Sequence, residues 1–351
     1  MLALATIPGQ PDSGALIDAE RPRRDADEIR ARTLAVGVCG TDREILNGEY
    51  GIARPGEQRL IIGHECLAEV LEAPADATVQ RGDLIVPFVR RPDPRPCAAC
   101  CVGEWDMCLN GEYTEHGIKG LDGFCTEEFC IAADACVRVE PRLRTTGVLL
   151  EPTSVVAKAW DHIERIGARA SWWRPQRALI TGAGPIGLLA AMLASRRECE
   201  LHVYDRVQQG LKADLVRRLG GRYHCDSIEE ACAVAPDVVI ECTGAAPVIQ
   251  AVLARSAPAA IVCLAGLSSG VHRVPVDLTA LNRTLVLEND VVFGSVNANR
   301  RHYELAANAL ARADESWLSA LITRRVPIRT WQRAFERVAG DVKVVIQVAQ
   351  S

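Results

Sequence analysis

Cys39, His64, Glu65 and Glu151 are the side chains in this sequence whose types could together hold a transition metal. Cys39 opens Cys39-Gly40-Thr41-Asp42, and His64 sits in Gly63-His64-Glu65, 25 positions further on. Both strings are expected at strand ends. A catalytic zinc takes about three protein ligands and keeps one position open. Cys39, His64 and one carboxylate make such a set. Glu65 is the nearest carboxylate, and Glu151 in Glu151-Pro152 is the other. Thiolate, imidazole and carboxylate suit Zn²⁺ better than Mg²⁺ or Ca²⁺. Asp42 is a candidate acceptor for the remaining imidazole N–H of His64, which would fix its tautomer. Spacing alone is a moderate signal, because a lone Cys and a lone His are more often structural.

A second constellation carries different chemistry. Leu179-Ile180-Thr181 leads into Gly182-Ala183-Gly184-Pro185-Ile186-Gly187 and then a small-residue helix. This is G-x-G-x-x-G in the strand–turn–helix setting that a dinucleotide pyrophosphate requires. The helix N-terminus offers N–H groups to the anion, and Pro185 falls in the first turn, where its missing N–H matters least. Asp205 ends the next expected strand, 23 residues after Gly182. An acid near that spacing accepts hydrogen bonds from the adenosine ribose and repels a 2′-phosphate, which favours NAD over NADP. Arg206 follows directly and could pair with that phosphate or stack on adenine. Thr243 completes the expected cofactor-binding positions.

The surrounding elements are those of two domains. The chain has 351 residues, 48% hydrophobic and 24% charged, which predicts an ordinary packed core. Its net charge of −5 argues against a nucleic-acid partner. No apolar run reaches the roughly 18 residues of a membrane span, and Met1–Gly9 has no basic lead of a secretory signal. Short β segments with Gly/Pro turns fill the first 150 residues, among them 34–38, 66–72 and 84–89. From Glu151 onward, helical and buried-strand patterns alternate, as a parallel sheet demands. The tail gives a helix at 303–313 and a strand at 342–348. Most of the 14 cysteines lie singly in apolar runs and read as buried filler. Cys97, Cys100, Cys101 and Cys108 crowd into an irregular Pro/Gly-rich lobe at about 90–125 and call for a metal. This usage of cysteine implies a reducing, cytoplasmic compartment.

The strings Gly37-Val-Cys-Gly-Thr-Asp42, Gly63-His-Glu65 and Gly182-Ala-Gly-Pro-Ile-Gly187, in this order, resemble the zinc-dependent medium-chain dehydrogenase/reductase superfamily. Cys39–Ile45, Asn47-Gly48, Gly111–Ile118, Asp122–Phe124, Glu151-Pro152 and Gly294–Asn297 look closer still to its glucose 1-dehydrogenase branch. The resemblance implies an α/β architecture. A mainly β GroES-like catalytic domain (1–152 and 297–351) would be split around a doubly wound Rossmann domain (153–296), with the active site in the cleft between them. Cys39 and His64 would match the catalytic zinc ligands. Glu65 and Glu151 would match the two carboxylate positions, one direct and one direct or water-bridged. Thr41 would match the hydroxyl that removes the substrate proton, and Asp42 the acid that orients the histidine. Glu115 and Asn297 would match contacts to the sugar or the nicotinamide side. A dimer or tetramer is also implied.

The chain departs from the family in two places. Relatives carry four lobe cysteines spaced x2, x2, x7. Cys97, Cys100 and Cys108 fit the last three as a possible structural zinc site, while Pro94 stands where the first would be. Cys101 is badly placed to share that metal, and Asp93 could substitute. Some relatives also carry an Asn before the Arg90-Arg91 pair and an Asp four residues past Glu151. Here these are Val89 and Val155, which counts against glucose itself but not against a sugar or polyol. His116 and His162 read as ordinary surface or satisfied residues, Trp172-Trp173 as inter-domain or subunit packing, Arg300-Arg301 as a solvated turn in preference to a contact with cofactor phosphate, and 21–32 as solvated surface. The reaction implied is zinc-assisted hydride transfer from a sugar or polyol hydroxyl to NAD(P), aldose to lactone being the leading case. A dehydrogenase of another polyol, cyclitol or aminosugar is the alternative within enzymes. A zinc-free dinucleotide-binding regulatory module is the alternative of another class.

Overall fold

A computed structural model describes residues 1–268 and 274–349. They form two compact units, one made of Met1–Ser154 and the chain from Asn297 onward, the other of Val155–Val296.

The first unit is built on a seven-stranded mixed sheet. Its central strand, Glu28–Gly37, buries alternate residues such as Ile29 and Ala31, which gives a strand with one face in the core. Part of the charged stretch at 21–32 is therefore not solvated surface; the alternating Ile and Ala override its charge. Glu65–Glu72 pairs antiparallel with this strand on one side, with Gly37 opposite Glu65. Lys343–Gln347 pairs antiparallel on the other, with Val345 opposite Gly37. Gly37, Glu65 and Lys343, scattered in sequence, thus reach the same end of one sheet. Val36, Cys66, Ala68, Ile85, Phe129, Val344 and Ile346 fill the core beneath. The lobe adds only short elements, the helix Ala98–Cys101 and the small pairing of Arg90–Arg91 with Thr114–His116.

The second unit is a six-stranded parallel sheet. In spatial order its strands are Arg222–His224, Glu200–Tyr204, Arg177–Thr181, Val238–Glu241, Ile261–Leu264 and Val291–Gly294. Chain order reverses between Arg177–Thr181 and Val238–Glu241, the switch point where such sheets open a crevice at the carboxyl ends of their strands. These strands are near-continuous apolar runs because both faces are covered. The helix Pro185–Ala194 follows the strand Arg177–Thr181 and is buried from Gly187 to its end. It can lie so close only because Gly187 lacks a side chain: a Cβ there would collide with the carbonyl oxygen of Gly182. Replacement Gly187→Ala should therefore destabilise this unit by about 1–3 kcal/mol and weaken dinucleotide binding. Denaturant unfolding and fluorescence titration with NADH check both effects; wild-type values for either would be inconsistent with this contact.

Candidate active site

The convergence of strand ends builds a buried polar cluster. Cys39 is the N-cap of the helix Gly40–Leu46, and its N–H donates to Asp42 Oδ2 at 2.9 Å. The same Asp42 places Oδ1 3.2 Å from His64 Nδ1. One carboxylate thus starts the helix that carries Thr41 and orients the ring opposite. Ligand atoms of Cys39, His64 and Glu65 all lie within 4.8 Å of one another. Thr41 Oγ1 stands 4.0 Å from the Cys39 sulfur. Glu151, in the first turn of the helix Leu150–Gly167, lies outside that triad but within its field. Burial, with the charge of Glu65 adding to it, pushes Glu151 up to about 7.

Lys343 is the member that sequence reasoning missed. Its ammonium is buried, pairs with the Glu65 carboxylate and donates to the Val38 carbonyl at 3.0 Å. Burial opposes its charge, but Glu65 and Cys39 more than compensate and raise its pKa. Gly37 makes room for the pair, since a Cβ there would collide with Glu65 Oε2. The one available signal was a lysine heading an otherwise apolar strand, Lys-Val-Val-Ile-Gln.

The charge balance tests whether a metal fits. Asp42, Glu65 and Glu151 are 2%, 2% and 8% exposed, and one ammonium faces them. Burial disfavours a charged His64, yet Asp42 overrides it and lifts the imidazole well above its ordinary value. Buried charges are costly unless paired, and the Lys343 ammonium and the His64 imidazolium offset two of these carboxylates. Cys39, His64 and a carboxylate are the donor set that suits zinc.

Glu115 and Asn297 belong to a second buried network in the same unit. Asn297 Nδ2 donates to Glu115 Oε1 at 2.8 Å, and Arg90 Nε donates to the same oxygen at 3.0 Å. Asn297 holds the left-handed conformation, φ 60°, with its Oδ1 accepting from Ala298 N–H at 2.7 Å. Arg90 also donates to the Asp106 carbonyl at 3.1 Å and stacks over Tyr113. Tyr303 Oη accepts the Val89 N–H at 3.2 Å, so this backbone group is already satisfied beside the apolar Val89 side chain. Arg90 and Tyr303 were not foreseen, because only a tertiary contact distinguishes them from surface residues.

The nucleotide unit assembles its expected members at the switch point. No side chain caps the helix Pro185–Ala194 at Gly184, which leaves its first N–H groups to an anion. Asp205 Oδ2 accepts from Ala183 N–H at 2.7 Å and lies 3.2 Å from Lys212 Nζ. Arg206 is exposed. Glu241 was also missed. Fully buried at the end of its strand, it accepts from Thr181 Oγ1 at 3.1 Å, Thr243 N–H at 2.7 Å and Gly244 N–H at 3.0 Å. It ties together the two strand ends that flank the crevice and sets Thr243 beside Gly182.

In the lobe, the sulfurs of Cys97, Cys100 and Cys108 lie within 4.8 Å of one another. The N–H of Leu109 pulls Cys97 down to about 6, whereas burial pushes Cys100 up to about 11. Asp93 does not join the set; its oxygens accept from Arg95 N–H and, across the lobe, from Asn110 Nδ2. One further expectation changes. Arg300-Arg301 opens the helix Arg300–Ala311 instead of a turn, and Arg300 stacks on Phe88. Trp173 packs on Gly167 within the nucleotide unit, while Trp172 is exposed. His116 is satisfied by the Asp122 carbonyl at 2.8 Å, and burial pushes it down to about 4.

Comparison with known proteins agrees with both units. Residues 25–141 match the alcohol dehydrogenase GroES-like domain, and residues 144–348 match the glucose dehydrogenase C-terminus. Glucose 1-dehydrogenase 2 of Vulcanisaeta moutnovskia is 38% identical over the whole of both chains. Glucose 1-dehydrogenase of Thermoproteus tenax is 40% identical over 99% of each. Haloferax mediterranei glucose dehydrogenase, solved in complex with NADP, Zn and gluconolactone, superposes with a TM-score of 0.91 at 29% identity, covering all of both chains. Fold and site thus define a zinc-dependent medium-chain dehydrogenase/reductase, an NAD(P)-dependent enzyme acting on CH–OH groups. Within that superfamily the chain belongs to the glucose dehydrogenase family, in its glucose 1-dehydrogenase-like branch.

The Arg90–Glu115 pair allows a direct check, since each side chain is 7% exposed. Arg90→Met should destabilise the protein by about 3–5 kcal/mol, because the buried Glu115 is left without its counter-charge. The double variant Arg90→Met/Glu115→Met should recover much of that loss in denaturant unfolding. Simple additivity of the two single effects would show that the pair is not coupled.

Proposed function

We propose that this enzyme oxidises a sugar or polyol hydroxyl, an aldose to its lactone in the leading case, with NAD as the preferred acceptor. The observation that carries the reading is the triad of Cys39, His64 and Glu65, whose ligand atoms lie within 4.8 Å of one another. Cys39, His64 and a carboxylate, Glu65 or Glu151, would hold the zinc, whose Lewis acidity lowers the pKa of an alcohol. Asp42 fixes the ring of His64 through Nδ1, which leaves the other nitrogen for the cation. Thr41, close to the Cys39 sulfur, takes the hydroxyl proton and passes it on towards solvent. Glu115 and Asn297, held by Arg90, hydrogen-bond further hydroxyls of the substrate.

The glycine loop Gly182–Gly187 with Pro185 and Ile186 receives the pyrophosphate, and Asp205 and Thr243 position the rest of the dinucleotide. A dinucleotide held there would supply the hydride acceptor, so that each CH–OH oxidised to C=O would release one NADH and one proton. The Asp205 carboxylate would repel a 2′-phosphate, which is the ground for NAD over NADP; Arg206 and Lys212 are the cations nearest to it in sequence and space. Val89 and Val155 offer no hydrogen bond to a hydroxyl, so a sugar or polyol other than glucose is the better substrate. No helix among the described residues is long and apolar enough to cross a membrane. All 14 cysteines are free, which supports a reducing, cytoplasmic setting. We infer a homo-oligomer, dimer or tetramer, from the family alone.

Three measurements test this reading. Cys39→Ala should abolish turnover and remove about one zinc per chain while NADH affinity holds; equal loss of NADH binding would overturn the division of labour between the two units. Asp205→Ala should weaken NAD more than NADP, and unchanged discrimination would remove Asp205 from the ribose site. A screen of aldoses, polyols, cyclitols and aminosugars with zinc-replete protein should find an aldose that yields lactone. Turnover confined to acyclic polyols or cyclitols would replace the aldose reading.

A further inference from the structure

The lobe holds three thiols that the proposed reaction does not use. Their sulfurs lie within 4.8 Å of one another, close enough to grip a common ion. Cys97 is the N-cap of the short helix Ala98–Cys101, and its sulfur accepts the Leu109 N–H at 3.3 Å. Such N–H groups aimed at a sulfur favour the thiolate, the form that binds metal.

What is missing is a fourth side chain. Among the described residues no further His, Cys, Asp or Glu joins the cluster. Pro94, placed where the x2, x2, x7 spacing would require the first thiol, has no donor atom. Asp93 is buried nearby, but Oδ1 accepts from Arg95 N–H at 2.7 Å and Oδ2 from Asn110 Nδ2 at 2.7 Å. Cys101 points to the Pro96 carbonyl at 3.7 Å, and the residue is exposed. Cys97 and Cys108 are only half-buried, so small molecules reach the cluster from solvent.

We propose that the lobe is a three-thiolate metal site whose fourth coordination position is open and taken by an exogenous ligand, water or a small thiol. Closed tetrahedral sites hold zinc structurally, whereas an open position exchanges ligands. Three thiolates favour Zn²⁺ and still more the softer, thiophilic Cd²⁺. The ion here exchanges its fourth ligand and passes between the lobe and thiol-containing donors, which a closed four-cysteine site resists.

¹¹³Cd NMR on the reduced full-length protein tests this without reference to turnover. The lobe is distinguished from the catalytic site by its number of sulfurs, three against the single Cys39. The expected wild-type signal is that of a three-sulfur site, moving towards a four-sulfur position when 2-mercaptoethanol is added. Pro94→Cys should give a four-sulfur signal that ignores added thiol, and should release the ion to a chelator more slowly than wild type. Asp93→Ala should leave the wild-type signal in place. A four-sulfur signal in wild type before thiol is added, a signal that does not respond to thiol, a displacement caused by Asp93→Ala, or no lobe signal at all would each overturn the proposal. If Pro94→Cys does not fold, the response of the wild-type signal to added thiol decides alone.

Discussion

The first unit depends on how it accommodates negative charge in its interior. Three strand ends meet where Gly37, Glu65 and Lys343 lie side by side. Asp42, Glu65 and Glu151 are withdrawn from water there, with Lys343 as the buried ammonium among them. Ionised groups in a low-dielectric interior are tolerable only with counter-charges in good geometry. Lys343 and a protonated His64 offset two of these carboxylates.

The same economy of means recurs elsewhere. Asp42 both caps the helix Gly40–Leu46 and orients His64, so one carboxylate sets the positions of Cys39, Thr41 and the imidazole. Glu241 does comparable work in the nucleotide unit, where a single buried carboxylate joins Thr181 to Thr243 and Gly244 across the switch point. Arg90 links Glu115 to the main chain of Asp106, inside the cysteine lobe. Asn299 Nδ2 reaches the Asp106 side chain at 2.7 Å, so the lobe is fastened to the segment that carries Asn297. The lobe is therefore a structural support for that network, whatever ion it carries.

Much of this organisation was legible in one dimension. Glycine loops announce themselves because backbone approach to a pyrophosphate tolerates no side chain, and Gly182–Gly187 needed little more than its flanking strand and helix. Cys39, His64 and Glu65 were visible as a donor set, though their spacing alone was also compatible with structural roles. Lys343 was not visible. It lies 278 positions after Glu65 and becomes a partner only through strand pairing. Arg90 and Arg300 looked alike as members of basic pairs; one proved a buried clamp and the other a helix-opening residue stacked on Phe88. Asp93 looked like a spare ligand because a carboxylate near thiols is chemically plausible. In space its oxygens are held by Arg95 N–H and by Asn110, and it stands outside the thiol cluster.

Residue chemistry and short-range spacing determine which groups can bind a pyrophosphate, donate to a metal or cap a helix, since those properties rest on a few neighbouring atoms. The sequence alone therefore established the two-part architecture, the parallel sheet, the nucleotide loop and the candidate ligands. Which groups are buried, which charges lack a partner and which side chains are already spent on another bond depends on contacts between strands and loops far apart along the chain. Only the tertiary structure could decide those, because burial and charge compensation are properties of a neighbourhood in space.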